Sequence, residues 1–443
     1  MIGHEGARPG TPRENGLWAV AQQVVSLALT GVFSIVLVRF VSVAEFGLYS
    51  YALTLASLGV AVMVSGLQGL AVRELHTRAH DTQGILSALF LIREIMALSV
   101  YIVFTIFTLS VSESTAILPT LVACLAVLAR VLDAPEVWFQ ATLRARFPAA
   151  IRIGSALVFF VLRLTVVIFA PSIIGLLVLF VIEQLINGGL IARKYWRTTR
   201  SRPYQKAKAP ETLFLARKAT PLALSGIANQ INLRVDVVII QALSGSTSVG
   251  LYAAASRVSE LLYAFPTAYM NATFPSLLEV RRRYGKESSE YRRNLQRGFD
   301  TAFWFGVIVV LGTVLTADWI VPLVFGPAYE VSAEVLKVHV LACPFMFMAA
   351  ILSKWIVAED KLWISLVRHG VGAALSIGLN IVLIPEFGIV GSAWATVVSY
   401  ASASYVFCFF SRGTTRVAWM MTLTPFAPVR YLYRWISRNG GTT

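Results

Sequence analysis

The chain has 443 residues and a formal net charge of +15; 57% of its residues are hydrophobic and only 14% are charged. Several apolar runs have about 20 residues, which at a rise of about 1.5 Å per helical residue can cross a hydrocarbon core of about 30 Å. This composition excludes a soluble globular protein. Most of the positive charge lies in loops beside the apolar runs, where anionic lipid head groups attract it, so we expect no nucleic-acid binding.

Apolar segments recur along the whole chain and predict about twelve membrane-spanning helices. The first run is longer than the apolar region of a signal peptide and no cleavage pattern follows it, so we expect it to stay in the mature protein. The predicted spans are approximately residues 17–40, 47–72, 84–111, 115–132, 150–170, 172–192, 219–243, 249–278, 299–323, 331–356, 363–385 and 388–411. The predicted fold class is an all-α integral membrane protein.

One short motif occurs twice, at the same place in the hydrophobic pattern. Phe46–Tyr49 reads Phe-Gly-Leu-Tyr and Val249–Tyr252 reads Val-Gly-Leu-Tyr. In each copy the motif opens an apolar segment after a short polar connection. The repeat therefore predicts two related membrane halves, which are typical of transporters.

The longest polar connection lies between the predicted halves, at residues 193–212, and is rich in Arg and Lys. Six spans precede it and six follow it, so both halves enter the membrane from the same side. We expect two six-helix bundles related by a pseudo-twofold axis along the membrane normal, with a cleft between them. The predicted domains are an N-terminal tail (1–16), an N-terminal bundle (17–192), the linker (193–212), a C-terminal bundle (213–411) and a C-terminal tail (412–443).

The distribution of Lys and Arg predicts the orientation. These residues cluster in the tails and in the connections that follow even-numbered spans, so both termini are predicted to be cytoplasmic. In the C-terminal tail, Arg430, Arg434 and Arg438 recur every fourth residue and apolar residues occupy another face. This pattern predicts an amphipathic helix that lies on anionic membrane lipids.

Ionisable residues inside the predicted spans are the candidate site residues. An arginine at the centre of a membrane helix costs about 2.5–3.5 kcal/mol on insertion scales, so we expect these side chains to face a wet interior rather than lipid. The candidates are Arg39 at the outer end of span one, Arg163 in span five, Glu183 in span six, Arg234 and Asp236 in span seven, and Arg257 and Glu260 in span eight.

A purely structural role is the alternative for the same residues. Arg234 and Asp236 can neutralise each other, and Arg257 can pair with Glu260 one helical turn away. Arg163 has no acidic residue within four positions, so its counter-charge must come from another helix or from an anionic ligand. Two further pairs lie closer to the cytoplasmic ends of their spans, and for these we expect snorkelling or gate pairing. They are Arg93 with Glu94 and Arg130 with Asp133.

Motifs for catalysis or cofactor binding do not occur in the sequence. We find no phosphate-binding Lys loop, no His-Glu-x-x-His and no Gly-x-Ser-x-Gly. Cys124, Cys343 and Cys408 all fall inside predicted spans, which argues against a disulfide framework or a zinc site. We expect a protein that is not an enzyme and that needs no cofactor and no metal.

Several segments together resemble a known family. They are Leu37–Phe40, Glu45–Tyr49, Leu233–Ile240, Val249–Arg257, Val324–Tyr329 and Leu379–Ala393. In order and spacing they look like the polysaccharide flippases of the multidrug/oligosaccharidyl-lipid/polysaccharide exporter superfamily, and the resemblance covers all predicted spans.

The resemblance implies a flippase in the bacterial inner membrane, carrying an undecaprenyl-pyrophosphate-linked oligosaccharide repeat unit from the cytoplasmic to the periplasmic leaflet. It implies a cationic cleft in which Arg39, Arg163, Arg234 and Arg257 bind the substrate. The acidic residues Asp236, Glu260 and Glu183 depart from a purely cationic lining and are candidates for ion coupling or gating. A polysaccharide polymerase and a chain-length regulator are the implied partners.

Three alternatives stay open at this point. A cation-coupled multidrug exporter would need acidic residues to bind cations, yet arginines outnumber acids in the middle of the spans. A peptidoglycan lipid II flippase usually has extra helices after the twelfth, and the tail after Ser411 is too polar to supply two. The third alternative is a non-transporting scaffold or polymerase subunit; a polymerase would have a large periplasmic loop, and every predicted outer connection is short.

Overall fold

The computed structural model describes residues 11–78, 81–111, 113–201, 207–411 and 413–432, and all regular secondary structure in them is helical. Up to the linker the helices are α1 (Pro12–Leu37), α2 (Val43–Val64), α3 (Leu67–Thr77), α4 (Thr82–Val111), α5 (Ser114–Ala129), α6 (Glu136–Ala141), α7 (Arg146–Phe169) and α8 (Ile173–Thr199). After it come α9 (Ala209–Tyr284), α10 (Ser289–Phe325), α11 (Val331–His339), α12 (Cys343–Ala358), α13 (Leu362–Ala401), α14 (Phe407–Phe410) and α15 (Thr415–Thr422).

Within the described residues, ten helical stretches are long and apolar enough to cross a membrane. Two of them, Ala209–Tyr263 and Trp363–Phe410, contain 55 and 48 residues. At about 1.5 Å per residue they would extend about 80 and 70 Å, more than twice the thickness of a hydrocarbon core. A glycine with non-helical dihedral angles interrupts each stretch, at Gly245 (φ 75°) and at Gly388 (φ 60°). The two interruptions recover the twelve predicted spans, and the all-α membrane class is confirmed.

The second predicted span begins earlier than expected and contains a break. A capping box places the start of α2 at Val43, because the Ser42 side chain accepts from the Glu45 backbone N–H and the Ser42 backbone N–H donates to the Glu45 carboxylate at 2.8 Å. α2 ends at Val64 and α3 begins at Leu67, inside the predicted span. The apolar run is therefore two consecutive helices rather than one.

By their internal contacts the residues form two compact units. The first unit is Met1–Ala253 with Val324–Ala328, and the second unit is Ala254–Leu323 with Tyr329–Thr443. Each has its own apolar core: the first includes Leu67, Leu86, Ile92, Phe139 and Tyr195, and the second includes Phe299, Phe347, Leu352 and Met421. The predicted domain boundaries stay predictions. Residues 1–10 of the N-terminal tail, 202–206 of the linker, and 433–443, with Arg434 and Arg438, lie outside the described residues.

The two copies of the Gly-Leu-Tyr motif contact each other within the first unit. A Cβ added to Gly47 would lie 1.8 Å from the Ser246 carbonyl oxygen, and one added to Gly250 would lie 2.1 Å from the Val43 carbonyl oxygen. Each glycine thus meets the carbonyl that precedes the other glycine by one helical turn. Only a residue without a side chain permits this approach of two backbones. The repeated motif is therefore a reciprocal helix contact.

Candidate functional site

Arg39 lies in the turn after α1 and caps the end of another helix. Its Nη2 donates to the Val324 carbonyl oxygen at 3.2 Å, in the last turn of α10. Arg39 and Val324 belong to the same unit. A cation beside the carbonyl end of a helix is favourable because it meets the negative end of the helix dipole. In the structure Arg39, a predicted site residue, therefore links the turn after α1 to the last turn of α10.

Arg163 and Glu183 form an ion pair between the adjacent helices α7 and α8. Their side chains are 16% and 10% exposed, so water screens the pair little. The Nε of Arg163 is buried without a hydrogen-bond partner. The sequence left two sources of counter-charge open for Arg163, another helix or an anionic ligand. In the structure the counter-charge comes from another helix, and this ion pair joins two of the predicted site residues.

Asp236 is buried, and its carboxylate accepts a hydrogen bond of 2.5 Å from the hydroxyl of Tyr252 and one of 2.8 Å from the backbone N–H of Val237. Tyr252 is the tyrosine of the second Gly-Leu-Tyr motif, so the repeated motif is linked to a predicted coupling residue. The bond joins the two parts of α9 on either side of Gly245. Arg234 lies half-buried two residues before Asp236.

Arg257 and Glu260 lie one turn apart on α9, in the second unit, with 3.6 Å between a guanidinium nitrogen and a carboxylate oxygen. Both side chains are half-buried. A partly exposed pair at this spacing contributes little stability, typically about 0.3–0.5 kcal/mol. Either partner is therefore able to exchange this contact for another one at small cost.

The densest charge cluster in the first unit was not among the predicted site residues. Asp133 accepts hydrogen bonds from Arg93 and Arg152, each at 2.9 Å, and forms an ion pair with Arg130 at 3.1 Å. Arg152 also contacts Glu136 at 2.5 Å. Gln22, Val64 and Gln68 complete the lining of a cavity of about 240 Å³ beside the cluster. Three guanidinium groups thus share two carboxylates.

Arg93 shows why the sequence missed this cluster. Snorkelling or gate pairing was expected for Arg93. Its side chain is 2% exposed and does not snorkel; it is paired, but with Asp133 rather than with its neighbour Glu94, which is exposed. Consecutive residues on a helix do not face each other, whereas residues three apart do. The spacing of Arg130 and Asp133 was the available signal. Nothing in the sequence indicated that Arg93 and Arg152 meet the same carboxylate.

The second unit holds another buried arginine that sequence reasoning missed. Arg368 in α13 is 3% exposed; its Nη2 donates to the Ser353 hydroxyl at 2.6 Å and lies 3.2 Å from Nε2 of His369. No carboxylate in the described part of the chain lies within ion-pair distance of it. Because Arg368 lies near the start of predicted span eleven, the sequence suggested an end-of-helix position rather than a buried one.

Membrane-spanning helices that carry paired and buried ionisable side chains have the construction of a membrane transporter. Two family models match the chain. The model described as Polysaccharide biosynthesis protein matches residues 13–280, and the model described as MatE matches residues 221–383. The first match covers more than half of the chain, so the chain belongs to the polysaccharide biosynthesis protein family. The resemblance to polysaccharide flippases is confirmed.

Curated relatives match part of the chain. The chain is similar to the "Probable flippase AglR" of Haloferax volcanii, with 28% identity over 38% of this chain and 36% of that protein. It is also similar to the "Putative O-antigen transporter" of Shigella flexneri, with 23% identity over 39% of this chain and 40% of that protein. The matches therefore span little more than a third of the length of these relatives.

Solved structures share the fold along nearly the whole chain. The lipid II flippase MurJ in an inward closed conformation aligns with a TM-score of 0.74 and 15% identity, covering 94% of this chain and 92% of that one. An inward-facing multidrug resistance MATE transporter aligns with a TM-score of 0.65 and 16% identity, covering 91% and 99%. At these identities the likeness shows the fold alone.

Proposed function

We propose that the protein is a flippase that moves an undecaprenyl-pyrophosphate-linked oligosaccharide repeat unit from the cytoplasmic to the periplasmic leaflet of a bacterial inner membrane. Transport proceeds by alternating access through a cationic central cleft. The excess of arginine over carboxylate inside the spans carries the proposal, because the diphosphate of such a substrate is anionic and guanidinium groups bind phosphate bidentately. Family membership and the flippase relatives support it.

In this proposal Arg39, Arg163, Arg234 and Arg257 contact the diphosphate, and Glu183, Glu260 and Asp236 couple or gate the cycle. Arg163 and Arg257 each lie within ion-pair distance of a carboxylate. A phosphate oxygen and a carboxylate oxygen compete for the same guanidinium, so substrate displaces Glu183 or Glu260. Substrate binding and release of Glu183 or Glu260 from its arginine are thereby linked.

The experiment separates substrate contact from a structural ion pair. In a strain lacking the native protein, surface glycan and membrane abundance are measured together for Arg163→Ala, Arg163→Lys and the double variant Arg163→Ala with Glu183→Ala. Arg197→Ala, at the exposed end of α8, is the control. We expect Arg163→Ala to lower export at least about tenfold and Arg163→Lys to retain part of it. The double variant restores abundance because no carboxylate is left unpaired, but export stays lost. Normal export by the double variant would make the pair purely structural.

A cation-coupled multidrug exporter is the second candidate, because the MatE model matches residues 221–383. Export of organic cations requires carboxylates that are free to bind them. Glu183 and Glu260 each lie beside an arginine, which disfavours this function. The fold shared with MurJ favours a lipid II flippase as a further alternative. Drug susceptibility and peptidoglycan synthesis, measured in the same strain, test the exporter and the lipid II flippase. A loss of surface glycan alone contradicts both alternatives.

We propose that both termini are cytoplasmic. A polysaccharide polymerase and a chain-length regulator are the proposed partners. Reporter fusions test the orientation. Fusions after Arg200 and Arg293 are expected to report the cytoplasm, and a fusion at Ser246 the periplasm, because Lys and Arg are retained on the cytoplasmic side. A periplasmic signal at Arg293 contradicts the twelve-span topology.

A further inference from the structure

A cationic pocket of about 280 Å³ lies in the second unit, between the first turns of α10 and the segment from Met420 to Tyr431. Four arginines line it, and Asp300 is the single acidic residue of the lining. The arginines are Arg292, Arg293, Arg297 and Arg430; Ser289, Gln296, Met420 and Tyr431 complete the wall. None of these residues belongs to the proposed transport site.

The carboxylate of Asp300 already accepts three hydrogen bonds. Asp300 is 4% exposed and accepts hydrogen bonds from Arg430 at 2.7 Å, from the Tyr431 hydroxyl at 3.0 Å and from Gln296 at 2.8 Å. Partial burial and the bond to Asp300 raise the pKa of Tyr431, so the phenol remains a donor at neutral pH. Asp300 thus fixes the C-terminal segment against α10 and neutralises Arg430.

The other three arginines keep their charge available to a ligand. Arg292, Arg293 and Arg297 make no ion pair within 4.0 Å in the described part of the chain, and Arg293 and Arg297 are exposed. They lie on the first turns of a helix whose later residues are apolar enough to span the membrane. Like charges held this close repel one another, and a bound anion removes that repulsion.

The surroundings of the pocket indicate where that anion resides. The C-terminal segment exposes large apolar side chains, among them Trp419, Phe426 and Val429, next to the cationic pocket. Apolar side chains beside clustered arginines are typical of a segment at the membrane surface, where acyl chains begin and lipid phosphates lie. Phosphate is also the anion that the arginine fork fits bidentately.

We propose that this pocket binds a phosphate group, held by Arg292, Arg293 and Arg297. The head group of an anionic phospholipid and a free phosphate compound share this chemistry. A volume of 280 Å³ equals that of about nine water molecules, which is enough for a phosphate with a small substituent.

The test uses the purified full-length protein in mild detergent. Native mass spectrometry measures the binding of phosphatidylglycerol, of phosphatidylcholine and of inorganic pyrophosphate. The pocket variant carries Arg292→Gln, Arg293→Gln and Arg297→Gln. The control removes the same charge from three exposed arginines outside the pocket, with Arg193→Gln, Arg197→Gln and Arg217→Gln.

We expect wild type and control to bind phosphatidylglycerol in preference to phosphatidylcholine, and the pocket variant to bind it about 100-fold more weakly, about fivefold for each of the three arginines. Two results together would assign the pocket to a soluble phosphate compound. Wild type would bind pyrophosphate but show no preference between the two lipids, and the pocket variant would lose the binding of pyrophosphate. Equal binding of every ligand by pocket variant and control overturns the proposal. If the triple variant does not fold, the single variant Arg293→Gln, at an exposed position, is expected to weaken binding about fivefold. Unchanged binding by this single variant would also overturn the proposal.

Discussion

The two halves of the chain are alike at one pair of corresponding residues and differ at another. Gly47 and Gly250 make reciprocal contacts with the backbone of the other motif. Arg152 and Arg368 also correspond in position, since each is the seventh residue of its helix, α7 or α13. Arg152 contacts two carboxylates, whereas Arg368 contacts a hydroxyl and an imidazole. The backbone contact uses the same residue from both copies, whereas the partners of the two arginines differ.

This difference has a physical cause. A backbone contact at about 2 Å from a missing Cβ tolerates glycine alone, so both copies need the same residue. A buried arginine needs acceptors but not particular ones, and either carboxylates or neutral oxygen and nitrogen atoms satisfy it. The first unit therefore contains a closed ionic network, while the second contains a buried cation with neutral partners.

The largest expected effect is that of Asp133→Ala. It removes the carboxylate shared by Arg93, Arg130 and Arg152 and leaves buried guanidinium groups without a counter-charge. We expect the free energy of unfolding to fall by about 3–5 kcal/mol, with low membrane abundance. Thermal unfolding of the purified variant measures it. Asp318→Ala is the matched control, because its pair with Lys337 is exposed and contributes about 0.2–1 kcal/mol. Equal losses for the two variants would show that the network contributes no special stability.

Gly250→Ala tests the reciprocal backbone contact between the two copies of the Gly-Leu-Tyr motif. The new Cβ would overlap the Val43 carbonyl oxygen, and backbone atoms cannot move aside as a flexible side chain can. We expect a loss of about 1–3 kcal/mol from overpacking, measured by thermal unfolding. Gly154→Ala is the control: an added Cβ has no neighbour within 4 Å, and alanine favours the helix by up to about 1 kcal/mol. An unchanged melting temperature in Gly250→Ala would contradict the reciprocal contact.

The charge difference between the halves is sharpened by Arg152→Met and Arg368→Met. Arg152→Met leaves Glu136 without its partner, and we expect a loss of about 1–3 kcal/mol. Arg368→Met strands no carboxylate, and replacing a buried cation by an apolar side chain is often neutral or stabilising, so we expect a change within about 1 kcal/mol. Melting temperatures of the two variants provide the comparison. A larger loss for Arg368→Met would mean that Arg368 has a counter-charge of its own.

A small effect is also expected for Tyr252→Phe, which removes the hydroxyl that donates to Asp236. Asp236 keeps the hydrogen bond from the Val237 backbone, so we expect a loss of about 1 kcal/mol. Export of surface glycan at unchanged abundance reports whether this bond also affects transport. Identical stability and export in variant and wild type would remove the Asp236–Tyr252 contact from any role in coupling.

The sequence by itself determined the membrane class and the approximate spans, because a hydrocarbon core of fixed thickness demands apolar runs of a fixed length. The family was predicted from the resemblance of short motifs and not from the apolar runs. The sequence also placed the division of the long helices correctly: Gly245 lies between predicted spans seven and eight, and Gly388 begins predicted span twelve. Contacts one turn apart on a helix were equally accessible, as with Arg257 and Glu260.

Only the tertiary structure decided which charges meet across helices. Glu183 was a visible acid, yet nothing in the sequence identified it as the partner of Arg163, and Asp133 lies 40 positions away from Arg93. Hydropathy fixes where a helix crosses the membrane but not how it is rotated about its axis, and that rotation determines which side chains face each other. The ionic network of the first unit and the neutral partners of Arg368 in the second unit are therefore determined by how the helices pack.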